Sequence, residues 1–245
     1  MDRILKGLKN QTSDKGFTLI EILVAVAISG IVMAGIYSAY YSQQRSYEVQ
    51  EQQVAIQQNL RAAMYFLERE IRMAGCDPLE TANAAILLAE ADYIQFTEDI
   101  SDELDDDDDG DGDNRDEPDG KIQKANENIT YYLEDNNLRR STIDEVTEDP
   151  LPPQTIAQNV EALNFVYLNA DGVVIPPPIA ADATRDIASV QIAIVARSER
   201  PDPKYSGSQT FVNMQGDTIG TGTYSGHYRR ELLTAQVKCR NFGLE

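Results

Sequence analysis

The chain has 245 residues, 42% of them hydrophobic, which is enough apolar material to bury a core of ordinary domain size and excludes wholesale disorder. Its formal net charge of −20 at pH 7 would repel nucleic acid and anionic lipid head groups and attract divalent cations and basic partners. Two cysteines and a single histidine, none in a CxxC or Cys/His spacing, argue against structural zinc.

The first informative segment is residues 17–41, an apolar run whose one charge is Glu21. As helix it would measure about 37 Å, enough to cross a hydrocarbon core of roughly 30 Å. Arg3, Lys6, Lys9 and Lys15 precede it against Asp2 and Asp14, so the positive flank is expected to stay cytoplasmic and the bulk of the chain to face the other side. The run is longer than the apolar region of a cleaved signal peptide and passes without a turn signal into a polar helical stretch, as suits a helix kept in the mature protein. A carboxylate one turn into such a span costs a few kcal/mol unless it is neutralised or paired. Glu21 is therefore either a functional group with a dedicated partner or an interfacial residue that snorkels to the head groups.

The string Lys15-Gly16-Phe17-Thr18-Leu19-Ile20-Glu21 resembles the processing site of type IV prepilins: a basic leader, a Gly, a Phe that becomes the new N-terminus, then Thr-Leu-Ile-Glu and an apolar helix. The resemblance implies cleavage between Gly16 and Phe17 by a prepilin peptidase and N-methylation of Phe17. It implies that Glu21 recruits and registers the subunit in a fibre by meeting the amino terminus of a neighbouring subunit. An ammonium is the partner best able to offset a carboxylate in an apolar bundle. Many major pilins carry a proline where this chain has Ile22, so an unbroken helix is expected there, with Gly30 and Gly35 as close-packing or flexible points.

Beyond Tyr41 the pattern turns amphipathic, with Ile56, Leu60, Ala63, Met64, Leu67 and Ile71 at three- and four-residue spacing. That stripe predicts a face buried against a head domain, with Met64 and Phe66 as core or near-core packing rather than cofactor contacts. The helix is expected to run over 17–74 and to stop at Ala74-Gly75-Cys76-Asp77-Pro78, where glycine suits a left-handed cap and proline cannot continue the ladder. Short alternating runs then predict strands at 93–97, 129–134, 164–168, 189–196 and 231–240. Pro176-Pro177-Pro178 and the stretch 198–226 read as surface loops. The expected fold is α+β, the type IV pilin fold: a long N-terminal helix, half transmembrane and half amphipathic, packed on an antiparallel sheet. The expected organisation is a leader over 1–16, a membrane half over 17–41, an amphipathic half over 42–75 and an extracytoplasmic head over 76–245.

Between the first two predicted strands, residues 98–119 hold fourteen acidic side chains against one arginine. Asp105, Asp107, Asp109 and Asp116, with Gly110 at the sixth position, have the spacing of a calcium loop in which the Asp111 carbonyl would be a backbone ligand. The EF-hand pattern has glutamate in the last place, and no helix pattern flanks this run. A second register through Asp107, Asp109, Asp111 and Asp113 and a solvated acidic run that binds ions diffusely both stay open.

Cys76 after the helix and Cys239 in the last strand would lie in a disulfide-permitting compartment, and both a bridge and two free thiols are open. The GxSxG, HExxH, P-loop and dinucleotide fingerprints do not occur and His227 sits in a polar loop, so neither an enzyme nor an organic cofactor is expected. Residues 67–75, 159–167 and 229–241 resemble the helix end, middle strand and last strand of PilW-like minor pilins. That resemblance implies a precursor in a bacterial inner membrane with its head in the periplasm. It further implies a low-copy subunit near the tip of an extracellular pilus that initiates assembly with other minor pilins and supports a tip adhesin. The alternatives are pseudopilin J of a type II secretion system and, from another class, a membrane-anchored calcium-binding surface protein with no fibre role.

Overall fold

A computed structural model describes residues 16–100, 118, 120–122, 126–143, 150–180 and 182–241. The acidic loop residues Asp105, Asp107, Asp109, Asp111, Asp113 and Asp116 lie outside the described residues. The chain divides into two units, residues 1–50 and residues 51–245.

Helix α1 is Leu19–Met73, 55 residues. It stops where the sequence supplies its stop: Gly75 takes a φ of 72°, the Cys76 N–H donates to the Met73 carbonyl at 2.9 Å, and the Gly75 N–H goes to the Thr97 carbonyl at 2.8 Å. Within the second unit the stripe Ile56, Leu60, Ala63, Met64, Leu67 and Ile71 is buried, as its spacing predicts. Phe66 is not. It lies well off that stripe, 38% exposed, and packs edge-to-face on Tyr65 with ring centroids 5.9 Å apart; the positions that follow Ala63 and Leu67 by four residues hold the buried face, and Phe66 falls between them.

Eleven strands follow among the described residues: β1 Ile86–Ala89, β2 Tyr93–Thr97, β3 Asn128–Glu134, β4 Asn137–Thr142, β5 Gln154–Gln158, β6 Val160–Leu168, β7 Val174–Ile175, β8 Ser189–Arg197, β9 Gly207–Val212, β10 Thr218–Gly226 and β11 Arg230–Lys238. They form a five-stranded sheet in sequence order β1-β2-β3-β4-β5, a four-stranded sheet ordered β11-β8-β6-β7, and the β10-β9 hairpin, every pair antiparallel. Each of the five predicted strands is present. The β3–β4 hairpin closes through Asp135 and Asn136, both at positive φ (49° and 57°), the two-residue turn whose twist matches the strands.

One core joins the amphipathic part of α1 to both larger sheets, with Leu67, Ile71, Phe96, Tyr131, Phe165, Tyr167 and Ile192 all buried. Strand β8 is buried along nearly its whole length because both its faces are covered. Val190, Ile192, Ile194 and Ala196 join the main core, while Ala193 and Val195 meet Ile219 and Tyr224 in a second cluster. The cover over that second face is the β9–β10 hairpin, which corrects the expectation of a plain surface loop over 198–226. Its Thr-, Ser- and Gly-rich sequence lacks sustained alternation, and its apolar residues Phe211, Ile219 and Tyr224 find a partner only on a sheet that arrives from elsewhere in the chain. An amide ladder latches it down: Asn213 Nδ2 donates to Asn164 Oδ1 (3.1 Å), Gln215 Nε2 to Gln191 Oε1 (2.9 Å) and Gln191 Nε2 to Gln236 Oε1 (3.2 Å). Gly220, at φ 65°, leaves room for the Tyr224 hydroxyl and the Ala162 methyl, with which any Cβ would collide.

Candidate functional site

Thr18 stands just ahead of α1 and directs its start. Its backbone N–H donates to Glu21 Oε2 at 2.8 Å, its hydroxyl donates to the same oxygen at 2.7 Å, and the Glu21 N–H donates back to Thr18 Oγ1 at 3.3 Å. This is a capping box, satisfying donors that the first turn would leave open and placing an anion at the positive end of the helix dipole. The sequence reading assigned Glu21 a partner on another chain and passed over this local one; the Thr-x-x-Glu spacing ahead of an apolar run is the signal that reveals it. Gly16 has open space around it and Phe17 is 85% exposed.

In the first unit the large apolar side chains from Leu19 to Tyr41 are exposed on every side of the helix. Among the described residues α1 alone is long and apolar enough to cross a membrane, and none of its apolar window is buried. Ser29 returns its hydroxyl to the Ala25 carbonyl at 2.8 Å, so that polar group does not count against burial in lipid. Gly30 and Gly35 have no side chain within 4 Å and offer two flat points to an approaching helix.

In the second unit the last turns of α1 carry a polar cluster that sequence reasoning missed. Arg140 on β4 pairs with Glu70 on α1 at 3.0 Å, and the Tyr131 hydroxyl donates to Glu70 Oε2 at 2.6 Å. Seventy residues separate Glu70 from Arg140, so no local pattern announces the pair. Burial works against the Arg140 charge, yet its bonds to Glu70 hold its pKa above the ordinary value, while burial first and Glu70 second push the Tyr131 phenol up. Beside them Glu98 is only 4% exposed, and its Oε2 has no hydrogen-bond partner. Burial, then the Glu70 charge, raises its carboxyl to about 7. Glu70, Glu98 and Arg140 line a groove of about 640 Å³ with Tyr65, Arg69, Arg72, Met73, Ile100 and Asn126.

The chain on either side of residues 101–117 is tied to this end of the helix. The Asp99 N–H donates to the Cys76 carbonyl (2.7 Å), the Glu98 N–H to the Glu127 carbonyl (2.9 Å), and the Gly120 N–H to Asp99 Oδ2 (3.1 Å). Among the described residues no group of three or more His, Cys, Asp or Glu side chains is arranged to hold a metal.

Cys76 and Cys239 are free thiols in this structure. The Cys239 N–H donates to the Ala188 carbonyl at 3.0 Å with the side chain in the main core, where burial pushes the thiol up to about 12. Burial and the carboxylates of Glu98, Asp99 and Asp77 raise the Cys76 thiol, so neither sulfur is activated as a nucleophile. His227 is exposed, with Nδ1 2.6 Å from the Tyr205 carbonyl oxygen.

Two family models match the chain, one at its N-terminus and one in its head. Residues 12–37 match the prokaryotic N-terminal methylation motif, and residues 122–241 match the family described as Type IV Pilus-assembly protein W. Among solved structures the chain is similar to a type IV-like pilin from Thermus thermophilus, with 15% identity over 76% of this chain and 97% of that one, at a TM-score of 0.49. No curated protein matches the chain. The family's domains are structural ones, and the methylation motif with its apolar helix fits a membrane-anchored precursor that a prepilin peptidase processes and that assembles with other pilins. A capped apolar helix that hides none of its greasy surface thus carries the prokaryotic N-terminal methylation motif, and the sheet-rich head matches the Type IV Pilus-assembly protein W family over residues 122–241.

Proposed function

We propose that the chain is a minor pilin that helps to initiate type IV pilus assembly near the fibre tip. A prepilin peptidase cuts between Gly16 and Phe17 and methylates the new amino terminus. The helix then leaves the inner membrane to pack among other minor pilins, with the head first in the periplasm and later outside the cell, where it supports a tip adhesin. The observation that carries this reading is Glu21, a carboxylate set among apolar side chains exposed on all sides. That surface needs lipid or a bundle of like helices to cover it, and within a bundle the carboxylate needs a cation. Cleavage creates one, the methylated amine of Phe17 on an adjoining subunit. The reading includes no enzymatic role: among the described residues that line the groove at the helix end there is no nucleophile paired with a base.

Glu21→Val tests this. Expected is loss of piliation while the purified protein still begins at methylated Phe17 and its head melts as before. Full piliation by the variant, or a mature chain that begins elsewhere, would end the proposal.

The acidic run is part of the same reading. Asp105, Asp107, Asp109 and Asp116, with the Asp111 carbonyl, hold one calcium ion, a role supported by the spacing of those residues. Calcium at about a hundred times its dissociation constant should stabilise the head by about 2.7 kcal/mol. A melting temperature indifferent to both calcium and chelator would remove the ion from the account.

A further inference from the structure

Sheet edges invite strand addition, and this head closes most of its edges in recognisable ways. At β1 the Ile179 N–H donates to the Ala89 carbonyl at 3.1 Å. At β5 the Asn59 side chain acts as a one-residue strand: its Nδ2 donates to the Gln158 carbonyl at 2.6 Å and its Oδ1 accepts the Gln158 N–H at 3.4 Å. Strand β7 has two residues, and the β9–β10 pair is broken by a register shift between Thr218 and Thr223.

Strand β11 has none of these devices. It pairs with β8 over all nine residues without a bulge, and it is the terminal strand of its sheet. From Leu232 to Val237 it carries no charge and no proline. The direction of its backbone groups follows from its two ends. The Arg229 carbonyl accepts the Ser198 N–H at 2.8 Å and the Cys239 N–H donates to the Ala188 carbonyl at 3.0 Å, so the odd-numbered residues face β8. Arg230, Leu232, Thr234, Gln236 and Lys238 therefore turn their N–H and C=O groups to the open side, where among the described residues no partner meets them.

We infer that β11 is a docking edge that accepts an extended segment of a different protein, uncharged in its middle and acidic at the end that meets Lys238. The charges choose the occupant. In a chain of net charge −20, the open edge ends on the exposed cations Lys238 and Arg240, whereas Arg230 at its other end is already paired with Glu161. Two copies, each carrying a net charge of −20, repel one another, which disfavours a self-dimer. Main-chain hydrogen bonds hold the added strand, and the basic end at Lys238 and Arg240 selects it. This surface lies in the head and is separate from assembly through the N-terminal helix.

The test uses the full-length protein in detergent micelles and two synthetic nine-residue peptides of alternating Val and Thr, one with Asp-Asp at each end and one with Lys-Lys. Amide exchange is read residue by residue. The acidic-ended peptide should slow exchange at Leu232, Thr234 and Gln236 by about tenfold or more, with Leu233, Ala235 and Val237 protected from the start. Thr234→Pro removes one outward N–H without touching the β8 ladder and should weaken binding by about fivefold or more. Should that variant not fold, Lys238→Glu combined with Arg240→Glu should lose the acidic-ended peptide and gain the lysine-ended one. Unchanged exchange at the three even-numbered amides, equal binding of both peptides, or protection that appears with protein concentration alone would overturn the inference.

Discussion

Two stretches of one helix, equally helical, have opposite fates. Between Leu19 and Tyr41 the large apolar side chains are exposed, whereas from Ile56 to Ile71 six residues at helical spacing vanish into a core with the sheets. Apolar content does not separate them; its arrangement does. An all-round apolar surface cannot be satisfied by one sheet and calls for lipid or other helices, while a stripe is satisfied by a single partner within the chain. The carboxylates obey the same division. Glu21 is exposed but locally bonded to Thr18, and Glu98 is buried and lacks a partner for Oε2. The first is answered within its own turn of helix; the second is a liability the head carries.

This division can be broken by mutation. The largest effect is expected at Glu70→Ala, which strands the nearly buried Arg140: about 3–5 kcal/mol lost from the head, read as a fall in its denaturation midpoint with membrane insertion unchanged. Leu67→Ala should cost about 2–5 kcal/mol in the same measurement, whereas Leu23→Ala in the membrane half should leave it flat. If Leu23→Ala destabilised the head as Leu67→Ala does, the two stretches would be one folding unit and the comparison would fail.

Glu98 sharpens the contrast through pH. Its folded pKa, about 7, stands above an unfolded value of roughly 4.3, so the folded head binds more protons between those values. Stability is therefore complete below about pH 4.3, as far as this group is concerned, and is lost as pH rises through about 7. Glu98→Gln should flatten that slope and raise the melting temperature at pH 8 by a few degrees, corresponding to about 2 kcal/mol. Equal slopes in wild type and variant would remove Glu98 as the cause. The smallest effect belongs to Thr18→Ala, which removes the cap hydroxyl and should cost the helix start about 1 kcal/mol, seen as faster amide exchange around Glu21 with the head's melting unaltered.

Much of this architecture was legible in the residues. The cap and stop of α1, the buried stripe from Ile56 to Ile71 and the five strands richest in alternation all rest on local rules of period and turn chemistry. The illegible parts depend on partners distant in sequence. The hairpin over 198–226 forms because a sheet face is there to receive Phe211, Ile219 and Tyr224. Phe66, next in sequence to Leu67 but well off the stripe, faces away from the core because Leu67 and Ala63 already hold the buried side.

The chain by itself determined that it has an N-terminal methylation motif, a helix with two characters and a sheet-rich head, since each follows from spacing along a few consecutive residues. The tertiary structure alone decided which carboxylate is paired and which is stranded, since Glu70 meets Arg140 and Glu98 enters their neighbourhood only after the sheet closes on the helix. It likewise decided that, among the described residues, none covers the outer edge of β11 while Asn59 covers that of β5. Edge position is a property of strand order, and strand order is settled by which faces the core can bury rather than by any neighbouring residues.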